Sequence, residues 1–110
     1  MDGYTKILMT NYAGTLLTVV AEMQAKPGSE ADLRRELLTL VEHTTQEDGC
    51  VQYDLHESTA TAGQFVFYEN WTSAAALEKH GASAHIQAFR AKASGLLAGP
   101  SRIVTYHRIG

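Results

Sequence analysis

The run Leu16–Ala25 places the tightest condition on what this chain can fold into. Leu17, Val19, Ala21 and Met23 alternate with Leu16, Thr18, Val20, Glu22 and Gln24, a period of two with both faces partly apolar. A strand of that kind belongs in the middle of a sheet with cover on each side. Lys26-Pro27-Gly28 stops it, because proline cannot donate to a ladder and glycine turns the chain.

The rest of the chain supplies that cover on one side only. Ser29 is placed to cap a helix with Asp32 three residues on, and Leu33, Leu37, Leu40, Val41 and Thr44 form one apolar stripe. Glu47-Asp48-Gly49 ends it, with Gly49 suited to a left-handed turn. Cys50–Glu57 reads as a second strand, with Val51, Tyr53 and Leu55 on one face and Cys50, Gln52, Asp54 and His56 on the other. Ser58–Gly63 is a polar connection of hairpin length. In Gln64–Trp71, Phe65, Phe67, Glu69 and Trp71 alternate with Val66, Tyr68 and Asn70, giving a third strand rich in β-favouring aromatics. Thr72 or Ser73 caps a short Ala-rich helix ending near His80-Gly81. Ser83 caps another that carries Ile86, Phe89, Ala93 and Leu97. Gly99-Pro100 punctuates, and Ser101–Ile109 is the last strand. Residues 1–15 keep no clean period and read as an irregular leader to a single domain, 16–110.

The order β-α-β-β-α-β is the α+β, ferredoxin-like split βαβ arrangement: a four-stranded antiparallel sheet with helices on one face. Strands one to three are apolar on both faces, yet helices can cover only one. An apolar sheet face of that size does not stay wet in a monomer. A second copy, face to face, would close a dimeric α+β barrel.

Composition narrows the function. A net charge of −3 and a pI near 5.9 do not suit a grip on nucleic-acid phosphates. The same β-α-β-β-α-β order occurs in RNA-binding sheets, but Gln64–Trp71 lacks the Lys/Arg-Gly-aromatic start of their signature strand. No apolar run approaches the roughly 20 residues of a membrane span, and no secretion signal is visible. One cysteine, Cys50, precludes an intrachain disulfide and suits a reduced, cytoplasmic setting as a small buried hydrophobe. There is no CxxC, no HxxxH, no Gly-rich phosphate loop and no GxSxG elbow, so no metal, no cofactor and no serine hydrolysis is expected.

Three stretches carry a resemblance: Leu17-Thr18-Val19-Val20-Ala21-Glu22 with Lys26-Pro27-Gly28; Glu47-Asp48-Gly49-Cys50 with Tyr53; and Phe67-Tyr68-Glu69-Asn70-Trp71 with Ala76-Leu77-Glu78, His80, His85 and Phe89. In this order they resemble the antibiotic-biosynthesis-monooxygenase domain, in particular the branch similar to the small bacterial quinol monooxygenase. The resemblance covers roughly Leu16 to Ile109. It implies a dimeric α+β barrel and oxidation of a quinol or polyphenol with O₂, without metal or flavin. Haem-degrading relatives use an Asn, a Trp and a His where Val20, His80 and Arg90 stand here, so haem degradation is not expected. Relatives that oxidise aromatic polyketides place an Asn where Phe67 stands, while Trp71 and Arg90 match theirs. Activity on a large polyketide is therefore not expected, and Phe67, Asn70 and Arg90 stand as substrate-binding candidates for a smaller aromatic.

The residues themselves offer further candidates, each with a plainer role beside it. His80 and His85 flank Gly81 and can converge on one pocket, where a neutral imidazole would take a phenolic proton; equally, both can serve as helix-end residues. Glu69 shares the face of Phe67 and Trp71, and burial would raise its pKa into the range of a base; the alternative is an ion pair with Arg102 or Arg108. Trp71 would stack a planar substrate or anchor the core. Tyr68 and Tyr53 would bond a substrate carbonyl or simply bury their rings. His56 and His107 are expected toward the barrel lumen, and His43 in solvent. The function expected is base-assisted oxidation of a small electron-rich aromatic by a homodimer. The alternative is a non-catalytic small-molecule-binding or stress-related barrel.

Overall fold

A computed structural model describes residues 15–110, so the proposed leader lies, except for Thr15, outside the described residues. The elements are β1 (Leu17–Gln24), α1 (Glu30–Thr44), β2 (Cys50–Glu57), β3 (Gln64–Trp71), α2 (Ala74–Gly81), α3 (Ala84–Leu96) and β4 (Arg102–His107). The sheet order is β2-β3-β1-β4, and every neighbouring pair is antiparallel. The two-sided apolar run is thus a central strand, paired with β3 and β4. The helices lie on one face, as the ferredoxin-like arrangement requires.

The core forms where the α1 stripe meets that face. Leu33, Leu37 and Leu40 pack with Val19, Ala21, Tyr53, Phe65, Phe67 and Trp71, and Phe89 of α3 joins them. In β3 the inward set Phe65, Phe67, Glu69 and Trp71 is nearly water-free. Deleting one such ring typically costs about 3–5 kcal/mol.

Two local expectations are corrected. Ser29 precedes α1, but its backbone, at φ −103° and ψ 7°, is not extended and its hydroxyl makes no cap bond. In β2 the register slips between Cys50 and Gln52, so Cys50 pairs with Trp71 and Tyr53 with Glu69. The extra residue, Val51, resets the alternation and puts Cys50 on the inward face with Tyr53. The other caps form: Ser73 Oγ accepts the Ala76 N–H and Ser83 Oγ the Ile86 N–H.

Gly49 holds a left-handed φ of +84°. A Cβ there would come within 2.5 Å of Ala76 Cβ and 2.9 Å of Thr72 Oγ1. Only glycine lets the turn after α1 lie this close against α2. The α3 C-terminus is tied to β1, with Lys26 N–H donating to Leu96 O and Ala98 N–H to Gln24 O, both at 2.8 Å. Sheet, turn and helices therefore hold fixed positions around the space between them.

Candidate active site

That space is a cavity of about 340 Å³ between the helix-side face of the sheet and helices α2 and α3. It is roughly twice the ~150 Å³ that encloses benzene. Apolar side chains form most of its wall: Val19, Ala21 and Met23 of β1, Phe67 of β3, Leu77 of α2, and Ile86, Phe89 and Ala93 of α3. The polar groups in the wall include Tyr53, Glu69, His80 and Arg90.

Glu69 is 4% exposed, and its Oε1 accepts the Trp71 indole N–H at 2.9 Å. Burial pushes its pKa up to about 7, against the Trp71 hydrogen bond and with help from the Glu47 charge. Tyr53, opposite Glu69 in the β2–β3 register, is driven far above the ordinary tyrosine range, first by burial and then by the Glu69 charge. It stays a neutral hydroxyl.

His80 ends α2, 7% exposed, with its ring 4.7 Å from Trp71 and 5.5 Å from Tyr53 between centroids. Burial lowers its pKa from 6.5, although the Glu47 hydrogen bond and charge pull the other way; His85 and Arg90 add to the lowering. At neutral pH the ring is uncharged. Its Nδ1 lies 2.6 Å from Glu47 Oε2, and His85 Nε2 lies 2.9 Å from the same oxygen.

Glu47, His80 and His85 offer a carboxylate oxygen and two ring nitrogens within 4.8 Å of one another, a donor set that transition metals use. The 2.6 and 2.9 Å separations are hydrogen-bond lengths. Donors around one ion stand about 3–3.5 Å apart when each bond is about 2.0–2.2 Å. The cluster is built as a hydrogen-bonded group.

The family profile described as antibiotic biosynthesis monooxygenase matches residues 16–92. The chain belongs to the antibiotic biosynthesis monooxygenase family. YcnE of Bacillus subtilis is 35% identical over 89 residues, which is 81% of this chain and 94% of YcnE. The crystal structure of PA3566 from Pseudomonas aeruginosa superposes with a TM-score of 0.84 at 36% identity, covering 88% of this chain and 97% of that one. That of Rv0793 from Mycobacterium tuberculosis gives 0.81 at 32%, covering 86% and 96%. The family match supports a monooxygenase-like function.

Within this antibiotic biosynthesis monooxygenase domain the candidates separate by position. Phe67, Glu69, His80 and Arg90 line the cavity; Arg90 also donates from Nη1 to Gly81 O at 3.0 Å. The two histidines do converge, but on Glu47. His80 is in the cavity wall and His85 is not, because Ile86, Phe89, Arg90 and Ala93 form the inward stripe of α3 and position 85 lies off it. Trp71 is fully buried behind His80 and Glu69, where no substrate can stack on it. Tyr68 and Asn70 are on the opposite face of the sheet, as strand alternation dictates once 67, 69 and 71 point inward. There Asn70 Oδ1 accepts from Thr18 Oγ1 at 2.6 Å and Asn70 Nδ2 donates to Gln52 at 2.8 Å. Neither can touch a ligand in this cavity. The ion pair considered for Glu69 does not form: Arg102 pairs with Glu22 at 3.4 Å, and Arg108 donates to Gly110 O. His43 is exposed, its ring stacked 5.5 Å from that of His85. Sequence reasoning missed Glu47 as a site residue, reading it only as part of a turn. Its place in the acidic-Gly-Cys stretch that carried the resemblance was the available signal. No helix among the described residues is long and apolar enough to cross a membrane.

Proposed function

We propose that this chain is a cofactor-independent monooxygenase acting as a homodimer on a small quinol or polyphenol, with O₂ as oxidant and His80 as the base. The observation that carries this reading is a neutral, buried imidazole in the wall of an apolar cavity sized for one or two fused rings. The cavity removes water from the substrate and desolvates its hydroxyl. His80 takes the phenolic proton, and the phenolate formed gives an electron to O₂ far more readily than the phenol does. Oxygen then bonds to a ring carbon as a peroxide. The imidazolium returns its proton as the O–O bond breaks and water leaves. The balance is a hydroquinone plus O₂ giving a hydroxyquinone plus water. Tyr53, held as a neutral hydroxyl, can donate a hydrogen bond within the same wall.

The dimer reading rests on the sheet face away from the helices. Val20 lies between Tyr68 and Val104 in register there, and Tyr68 and Tyr106 are 40% and 47% exposed. A second copy laid on that face would cover them.

The test is O₂ uptake with a panel of hydroquinones on metal-stripped protein, in wild type, His80→Ala and Glu69→Gln. A positioned base is worth about 10²–10⁴-fold in kcat, so His80→Ala should lose that much while staying folded. The pH profile separates the two titratable groups in the wall. With His80 as base, the acid-side fall of kcat/KM has its midpoint below 6.5, because burial lowers the imidazole pKa. With Glu69 as base, the fall centres near pH 7. Ligand binding without O₂ uptake across the panel would convert the reading to that of a binding barrel.

A further inference from the structure

We propose that Glu47 is a positioning residue that sets the tautomer of His80, and that His85 acts on Glu47 rather than on substrate. The inference rests on the reading of His80 as base and goes beyond it in naming what makes that imidazole a base. An ionised carboxylate oxygen only accepts hydrogen bonds. Both ring nitrogens that reach Glu47 Oε2, His80 Nδ1 at 2.6 Å and His85 Nε2 at 2.9 Å, must therefore carry hydrogen. With Nδ1–H of the neutral His80 ring committed to Glu47, Nε2 is bare. Glu47 and His85 are outside the cavity wall and His80 is in it, so Nε2 is the nitrogen left to serve the cavity. When Nε2 takes the substrate proton, the carboxylate 2.6 Å behind the ring stabilises the imidazolium that forms. The arrangement follows the logic of a carboxylate–histidine dyad, recognised by geometry and role.

The fold is arranged to bring these three residues together. Glu47 is in the turn after α1, His80 in the last turn of α2, His85 in the first turn of α3. The glycine at 49 lets that turn approach α2, since any side chain there would strike Ala76. Ser83 Oγ donates to His80 O at 2.6 Å and accepts from Ile86 N–H, which fixes the corner between His80 and His85. The second N–H, from His85, holds the Glu47 carboxylate in place when His80 charges and discharges.

Nitrogen-15 NMR of the histidine rings tests the tautomer without any substrate. At pH 8 wild-type His80 should show a protonated Nδ1 and a bare Nε2, and Glu47→Gln should lose that preference, since the amide can donate as well as accept. In O₂ uptake, Glu47→Gln should lower kcat about 10²-fold or more with KM within about threefold, and Glu47→Asp should restore part of the loss. The acid limb of kcat/KM should move to lower pH in Glu47→Gln. Of the charged groups acting on the His80 pKa, Glu47 from the turn after α1 and His85 and Arg90 from α3, it is Glu47 that raises it, while Tyr53 and Glu69 of the sheet share the cavity wall with His80. His85→Asn should cost less than Glu47→Gln. Melting curves establish that each variant is folded. Glu47→Gln within threefold of wild-type kcat, or with the His80 tautomer unchanged, would overturn the proposal. Loss in His85→Asn as deep as in His80→Ala, with Glu47→Gln active, would make His85 the base. If wild type consumes no O₂ with any quinol, the monooxygenase reading fails while the tautomer result still decides the role of Glu47.

Discussion

Replacing Glu69 by Gln should make the protein more stable at alkaline pH and leave it nearly unchanged in acid. The Glu69 carboxyl titrates near 7 in the folded chain, against an ordinary 4.5, chiefly because it is buried. Below pH 4.5 both the folded and unfolded forms are protonated, and the group contributes no pH dependence. Between 4.5 and 7 the unfolded chain gives up the proton while the folded one keeps it, so stability falls as pH rises. Above 7 both are ionised and the full cost persists. At about 1.4 kcal/mol for each pH unit between the two pKa values, that cost is about 3 kcal/mol. A glutamine carries no charge to desolvate, and its carbonyl can still accept the Trp71 N–H. The gain at pH 8.5 should therefore be about 1–3 kcal/mol, or roughly 4–12 °C in Tm for a domain of this size. Melts of wild type and variant at pH 4.5 and 8.5 supply the assay, and the difference between the two differences cancels every other titrating group. A variant equally displaced from wild type at both pH values, or less stable at pH 8.5, would refute the claim that burial of an ionised Glu69 strains the fold.

The remaining expectations are shorter. Phe67→Ala removes a ring 1% exposed that packs on Tyr53 at 4.5 Å between centroids, and urea melts should show a loss of about 3–5 kcal/mol. Gly49→Ala combines left-handed strain with overlap on Ala76, and should cost about 2–5 kcal/mol by the same assay. It should also lower kcat, by moving Glu47 away from His80. Light scattering should give a particle of twice the 12.0 kDa chain mass. Monomer at micromolar concentration would remove the face-to-face barrel, and Tyr106→Lys on the open face should shift the equilibrium toward monomer.

Periodicity made the sheet and the helix stripe readable because burial imposes it directly. Val19 and Ala21, or Leu33, Leu37 and Leu40, are apolar at the spacing their element repeats. The same alternation correctly put Phe65, Phe67, Glu69 and Trp71 on one face. It failed at Cys50, because one inserted residue in β2 reverses every side chain before it, and nothing in the composition of Cys50-Val51-Gln52 marks a bulge. Ser29 failed for a different reason: its backbone, at φ −103° and ψ 7°, is not in the extended conformation from which an N-cap hydroxyl accepts an N–H of the first turn. The site was legible where a titratable residue interrupted an apolar face, as Glu69 does. It was not legible where side chains from separate segments meet.

Glu47 shows why. In its local stretch it is an acidic residue before Asp48-Gly49, with no periodic face and no motif partner, and solvent is the ordinary place for such a side chain. What brings it to the proposed site is contact between segments far apart in sequence: His80 is 33 and His85 38 residues away, a gap closed by the glycine turn and by the corner at Ser83. Phe67 or Leu37 can be assigned from hydrophobicity alone, since any buried neighbour will do. A hydrogen bond to a ring nitrogen needs one partner, at one length, in one direction. The residues that hold the cavity open are therefore written in local pattern. Those proposed to set the chemistry of its wall are written in the turns that decide which helix end meets which loop, as Gly49 decides for Glu47 and α2.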